Sequence, residues 1–385
     1  MKITTSNRLV GIDEYYFSKK LREIDQLNKE GKNIINLGIG SPDLPPHQSV
    51  IKVLQEEAAK PNTHAYQNYK GSPILRSAIA GWYKTWYGVE LDADKEVLPL
   101  IGSKEGIMHI CMTYLNMGDE ALIPNPGYPT YTSAVKLSGG NAIPYELSEA
   151  NNWEPDFETL EKSDLSKVKL MWVNYPHMPT GQLPSKALFE KIIAFGLKHN
   201  ILICHDNPYS FILNDSPMSM LGVAGAKEVA IELNSLSKSQ NMAGWRVGIL
   251  CGSKERIDEI IRFKSNMDSG MFLPVQLAAA TALGLSKEWY DEVNKVYANR
   301  REKVYQLLTK INCQFSKKQA GLFVWAKIPE KYRNGFELSD EILYNAKVFI
   351  TPGGIFGSAG DGYVRVSLCG SIERFEEAII RITNC

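Results

Sequence analysis

Lys238 lies in Ser235-Leu236-Ser237-Lys238-Ser239, just after the apolar run Val229-Ala230-Ile231-Glu232-Leu233 and shortly before Gly244-Trp245-Arg246-Val247-Gly248. A primary amine where a strand ends and the chain turns can attack a carbonyl and then move a proton on the product, if the right partners stand nearby. Alone, such a lysine is most often a solvated loop residue. Two other apolar runs end in residues that change this reading. After 97–101 the chain reads Gly102-Ser103-Lys104-Glu105-Gly106 and enters a helical pattern, leaving free backbone N–H groups and a hydroxyl suited to an anion such as phosphate. The run 201–205 ends in Asp206-Asn207-Pro208-Tyr209, an acid that either caps the next turn or holds a proton on a bound heterocycle.

These residues need elements to hold them. Short apolar strands are expected at 97–101, 120–124, 168–174, 201–205, 228–233 and 246–251, with helices at 104–116, 185–199 and 254–266. Alternating β and α segments with apolar strands predict an α/β fold, a mostly parallel sheet covered on both faces, with ligands at the carboxyl ends of the strands. Upstream, a helical pattern through Tyr16, Phe17, Leu21, Ile24 and Leu27 is followed by the loop Gly38-Ile39-Gly40 and two amphipathic helices, Pro45 to Lys60 and Ser72 to Tyr87. Beyond about residue 285 the rhythm becomes α+β: a long charged helix from Lys287 to Ile311, strands near 322–328, 348–351 and 363–368, and a last helix near 372–382. The expected division is 1–40, an N-terminal segment packing with the smaller domain; 41–285, the large α/β/α domain; and 286–385, the small C-terminal α+β domain.

Composition narrows the partners. Lys+Arg and Asp+Glu each number 43 in 385 residues, so no basic excess exists to bind a nucleic acid. The six cysteines, Cys111, Cys204, Cys251, Cys313, Cys369 and Cys385, form no C-x-x-C pair, which argues for reduced thiols rather than disulfides or a zinc site, and no metal is expected. With no apolar leader and no membrane-length run, the expectation is a soluble cytoplasmic protein that binds no membrane.

Taken together, Gly102-Ser103-Lys104, Asp206 and Ser235-to-Lys238, in this order and spread over nearly the whole length, resemble the fold-type-I, pyridoxal-phosphate-dependent class I/II aminotransferases. The resemblance implies an internal aldimine on Lys238, which then shuttles the substrate's α-proton, and Asp206 at the ring nitrogen. It implies Tyr209 at the phenolic oxygen and Tyr128, in Pro124-Asn125-Pro126-Gly127-Tyr128-Pro129, stacked on the ring. Phosphate binding falls to Gly102, the backbone at Ser103 and Lys104, Ser235, Ser237 and Arg246. Tyr66, in Y-x-x-x-x-G-x-x-x-L-R, matches a tyrosine that reaches the phosphate in a second subunit, so a homodimer with shared sites is implied, and the Asp268-to-Phe272 loop is expected to cross the same interface. Arg365, in Gly362-Tyr363-Val364-Arg365-Val366-Ser367, matches the arginine that grips the substrate α-carboxylate, with Ile39 and Gly40 also at the substrate.

One position departs from the family pattern N-P-x-N-P-T-G. Tyr175-Pro176-His177-Met178-Pro179-Thr180-Gly181 puts Met178 where an asparagine would bond the cofactor's phenolic oxygen, and a thioether cannot donate. Tyr209 remains, and compensation by His177 or Asn174 is expected if the loop shifts. The implied reaction is transamination between an amino acid and a 2-oxo acid. Lys104 points towards a donor with a polar far end, such as aspartate, glutamate or LL-diaminopimelate, whereas Ile39, Phe356 and Phe272 as pocket walls suit an apolar side chain equally. A carbon–sulfur β-lyase on the same fold is the alternative, and a non-catalytic cofactor-binding protein or a ligand sensor is a more distant one.

Overall fold

The computed structural model describes residues 3–12 and 14–384; Cys385, and with it the expected thiol there, lies outside the described residues. In chain order the strands are β1 (Ile35–Asn36), β2 (Val97–Leu100), β3 (Glu120–Asn125), β4 (Asn141–Glu146), β5 (Val168–Asn174), β6 (Leu202–Asp206) and β7 (Ala230–Ser235). They continue with β8 (Gly248–Gly252), β9 (Gln314–Phe315), β10 (Phe323–Lys327), β11 (Val348–Phe349), β12 (Thr351–Pro352) and β13 (Tyr363–Ser367).

Seven of these form one sheet in the order β2-β8-β7-β6-β5-β3-β4, parallel except for β8, which runs against both β2 and β7. The strands are buried on both faces because residues of alternate parity enter different cores. Leu170 and Trp172 join one apolar cluster, Met171 and Val173 the other. All six strands expected for this sheet are present. β4 is the addition: it is an edge strand, exposed along most of its length and interrupted by Pro144, so it lacks the apolar run that marks its neighbours.

The C-terminal part carries the four-stranded antiparallel sheet β12-β13-β10-β9. Its 24-residue helix Lys287–Lys310 and final helix Ile372–Thr383 were expected; the helix Gly335–Ala346 was not. The N-terminal chain joins this part through the parallel pairing of β1 with β11 and through Ile24, which packs on Leu343 and Phe349. Among the described residues no helix is long and apolar enough to cross a membrane, and the five cysteines are free.

Candidate active site

The carboxyl ends of β2, β5, β6 and β7 open on one cavity of about 640 Å³, closed from the far side by β10, β13 and the N-terminal helix Tyr16–Lys29. Ser103, Lys104, Tyr128, Met178, Asp206, Tyr209, Ser235, Ser237, Lys238, Arg246 and Arg365 all line it, as do Ile39, Gly40 and Phe356. The structure therefore brings together residues spread over more than three hundred positions of sequence, as expected of loops at parallel strand ends.

The cavity floor is an anion cradle. Gly102 leads into the helix Ser103–Tyr114 with a φ of +86°, and a Cβ on it would lie 2.0 Å from Nη2 of Arg246. Only glycine lets that guanidinium lie against the helix N-terminus. Gly248 is constrained in the same way, since a Cβ there would meet the Ser103 amide nitrogen at 2.4 Å. Ser235 caps the short helix Leu236–Ser239 through the Ser237 N–H, at 3.2 Å, so both serines are fixed at the cradle's rim.

Lys238 points its amine across the cavity, where it donates to the Gly40 carbonyl at 2.9 Å. Burial, aided by the charges of Arg365 and Arg246, lowers the amine's pKa against the opposing pull of Cys369 and Asp206. A larger share of amine is then neutral and nucleophilic. Asp206 sits at the end of β6, 5% exposed. Its Oδ2 accepts from the Tyr131 hydroxyl at 2.8 Å, while Oδ1, equally buried, has no partner. Burial pushes this carboxyl up to about 6, partly offset by the Tyr131 hydrogen bond and by the positive charges of His205 and Lys238. A carboxylate oxygen buried without a donor is costly, so Oδ1 is built to meet a cation or an N–H from within the cavity.

Arg365 is the second unsatisfied charge. It is 4% exposed, has no carboxylate partner among the described residues, and leaves Nε unpaired. Nη2 donates to the Gly38 carbonyl at 2.9 Å, and the guanidinium lies 3.7 Å from the Phe323 ring centre and 4.6 Å from that of Phe356. Burial lowers its pKa to about 10. Aromatic faces soften the cost of the buried charge, but a carboxylate docking on the fork would remove it.

Met178 is 6% exposed, and Nη1 of Arg365 points at its sulfur at 3.3 Å, a weak acceptor for a strong donor. Both named substitutes for the missing asparagine already make other hydrogen bonds. Asn174 spends its amide on the Asp206 carbonyl (2.5 Å) and its oxygen on the Met178 N–H (2.7 Å). His177 is buried off the cavity, bonded to Thr180 at 2.8 Å, and burial pushes its pKa down to about 3. As the loop stands, both side chains are hydrogen-bonded within the protein, and Asn174 also lines the cavity.

Two further expectations are placed elsewhere. Tyr66 is 92% exposed, and Phe272, expected as a pocket wall, packs at 5.5 Å on His64 instead. Neither lines the cavity. Lys104 does face the cavity, but its ammonium rests 4.8 Å over the Tyr15 ring. Sequence reasoning missed Tyr131, Tyr15, Phe17, Leu21 and Phe323, all of which line the cavity. Only the i, i+3 pair Tyr128 and Tyr131 at a helix start carried a readable signal, and their rings meet edge-on at 5.6 Å.

The chain is similar to known proteins over nearly its whole length. A family model described as aminotransferase class I and II matches residues 32–382. LL-diaminopimelate aminotransferases of Dehalococcoides mccartyi and Halothermothrix orenii are each 40% identical over 381 residues, covering 98% of this chain and 98% of theirs. The apo structure of BacF from Bacillus subtilis superposes with a TM-score of 0.95 at 36% identity, over 100% of this chain and 98% of that one.

Proposed function

The chain belongs to the class I and II aminotransferase family, a family of pyridoxal-phosphate-dependent transaminases acting on amino and oxo acids, and from that premise we propose that its cavity holds pyridoxal phosphate and transfers amino groups by way of Lys238. The observation that carries the proposal is the facing of the Lys238 amine, the unpartnered Asp206 Oδ1 and Arg365, whose Nε is unpaired, onto one cavity. The residues fit the cofactor: Gly102 lets the Arg246 guanidinium lie at the helix N-terminus where a phosphate would be held, and Oδ1 lacks the donor that a protonated ring nitrogen would supply. When bound, pyridoxal phosphate provides an aldehyde for the amino group and a ring that draws electrons from the substrate's α-carbon.

The chain's own residues then divide the work. The N–H groups at Ser103 and Lys104, with Ser235, Ser237 and Arg246, would hold the phosphate, and Tyr128 would pack against the ring. Asp206, oriented by Tyr131, keeps a proton on the nitrogen it faces. Tyr209 donates to the phenolic oxygen. Arg365 clamps the α-carboxylate, which orients the α-hydrogen towards the Lys238 amine, and that amine removes the proton and returns it at the other end of the transfer. The proposal extends to a cytoplasmic homodimer: exposed Tyr66 beside the His64–Phe272 contact suits a reach into a second copy, and free cysteines suit a reducing compartment.

For the donor, the relatives' name and the cation at Lys104 favour LL-diaminopimelate or another polar-ended amino acid. The aromatic and aliphatic wall of Tyr15, Phe17, Leu21, Ile39 and Phe356 favours a second reading, a large apolar donor. Steady-state kinetics over LL-diaminopimelate, aspartate, glutamate, phenylalanine and methionine separates the two by which donor has the highest kcat/KM. In the same panel Arg365→Leu raises KM for every donor by about 10- to 100-fold, the loss of a charge-assisted hydrogen-bond pair. A KM unchanged across the panel contradicts the carboxylate role.

Met178 gives the site an unusual electronic setting. With a thioether in that place, a bound cofactor would lack one hydrogen-bond donor, a difference of roughly 1.5–3 kcal/mol that would raise the pH midpoint of its absorbance. Met178→Asn is expected to lower the pH midpoint of the bound cofactor's absorbance, measured by spectrophotometric titration. An unmoved midpoint sinks the account of this position.

A further inference from the structure

Behind the cavity, three adjacent strands are tied together by a polar strap. Glu232 on β7 and His205 on β6 are opposite one another in register, and neither exposes any surface. His205 Nδ1 lies 2.7 Å from Glu232 Oε2, and Nε2 lies 3.0 Å from the carbonyl of Tyr175, the residue directly after β5. Glu232 also receives the Tyr83 hydroxyl, the Ser219 hydroxyl and the Met220 N–H, each at 2.9 Å. With three donors on it besides His205, Glu232 has the setting of an acceptor-only carboxylate. Nδ1 of His205 must then donate to it. The Tyr175 carbonyl has no proton to offer, so Nε2 must donate as well. Hydrogen positions assigned from this network make His205 an imidazolium.

The strap's position gives it a role. His205 directly precedes Asp206, Glu232 lies three residues before Ser235 and six before Lys238, and Tyr175 lies three before Met178. Successive strand side chains face opposite ways, so the strap sits on the sheet face away from the Asp206 carboxylate. It touches neither cavity nor solvent. Stability alone is a poor reason to keep it, because a buried ion pair seldom outperforms apolar side chains of the same volume. A rigid link between the strand ends is a better one, since errors near 1 Å at a reacting centre cost about two orders of magnitude in rate.

We infer that His205 is a positioning residue for amino transfer: as a buried cation between Glu232 and the Tyr175 carbonyl, it fixes the strand ends bearing Asp206, Lys238 and Met178 relative to one another and places positive charge behind Asp206. The inference rests on the transaminase reading above. The same charge also favours the ionised form of Asp206.

The test uses the cofactor-loaded enzyme and two variants, His205→Asn, which removes the ring, and Glu232→Gln, which keeps the shape but removes the charge that requires an imidazolium. Folding is checked by circular dichroism and cofactor content. Either folded variant is expected to lose about 10- to 100-fold in kcat with KM within about two-fold, and to shift the pH midpoint of the bound cofactor's absorbance. A purely structural pair would lower thermal stability and leave both readouts unmoved, and that result in either folded variant overturns the inference. Wild-type turnover in the same assay is the control: its absence refutes the transaminase reading, whereas its presence alongside wild-type-like variants refutes only the role of His205.

Discussion

Replacing Lys238 with alanine is expected to lower amino-transfer turnover by on the order of 10⁴-fold or more, with cofactor still retained at the phosphate cradle. Proton transfer by a positioned base supplies about 10²- to 10⁴-fold. Lys238 is the sole amine of the cavity that bonds to the Gly40 carbonyl among the described residues, and it has no neighbour that could take over both of its tasks. Lys104 is the nearest candidate by chemistry, but its ammonium is committed to the face of Tyr15. Single-turnover kinetics of Lys238→Ala with a good donor checks the prediction. A rate within ten-fold of wild type would remove Lys238 from the mechanism.

Asp206→Asn is expected to cost about 10²- to 10⁴-fold in turnover, the equivalent of breaking a buried ion pair at roughly 3–5 kcal/mol. The environment also gives this residue a pH signature. Burial pushes the carboxyl up to about 6 in the chain without cofactor, so below that pH it holds a proton and presents no charge to a protonated ring nitrogen. Cofactor affinity should therefore fall as the pH is lowered through about 6, and asparagine, which does not titrate, should flatten that dependence. Equilibrium titration of cofactor into wild type and Asp206→Asn across this range checks both parts. A wild-type affinity independent of pH there would mean that Asp206 does not face the ring nitrogen.

Much of the site could be read from sequence because its residues follow short apolar strands. A buried parallel strand ends abruptly in polar or glycine residues, which is why Ser103, Asp206, Ser235, Ser237 and Lys238 stood out, and the structure finds them on one cavity. What escaped reading lacked that contrast. β4 is half-polar and exposed, and the helix Leu273–Leu283 is apolar all round, so neither shows a clean period. Tyr131 looks like any core aromatic until its hydroxyl is seen on Asp206. Tyr15, Phe17 and Leu21 reach the cavity only because the N-terminal helix is docked by β1 and β11, a tertiary fact with no local trace. The contact of Met178 with Arg365 joins residues 187 apart. Sequence showed a missing donor at Met178; the structure adds that Asn174 and His177 are already engaged in other hydrogen bonds.

The same contrast explains the strap. His205 and Glu232 sit within apolar strands, where a charged pair invites no functional reading, and their meaning emerges only from the register that sets them side by side.

The central claim is that Lys238, Asp206 and Arg365 together run a transamination half-reaction. It is tested most directly by mixing the pyridoxal-phosphate-loaded protein with one L-amino acid at a time and no oxo acid, while recording the absorbance of the bound cofactor. The account predicts that at least one donor converts the cofactor fully to its amine form, with one equivalent of 2-oxo acid released per site and no free ammonia. A cofactor unchanged by every donor, or continuous release of ammonia without conversion, would contradict it.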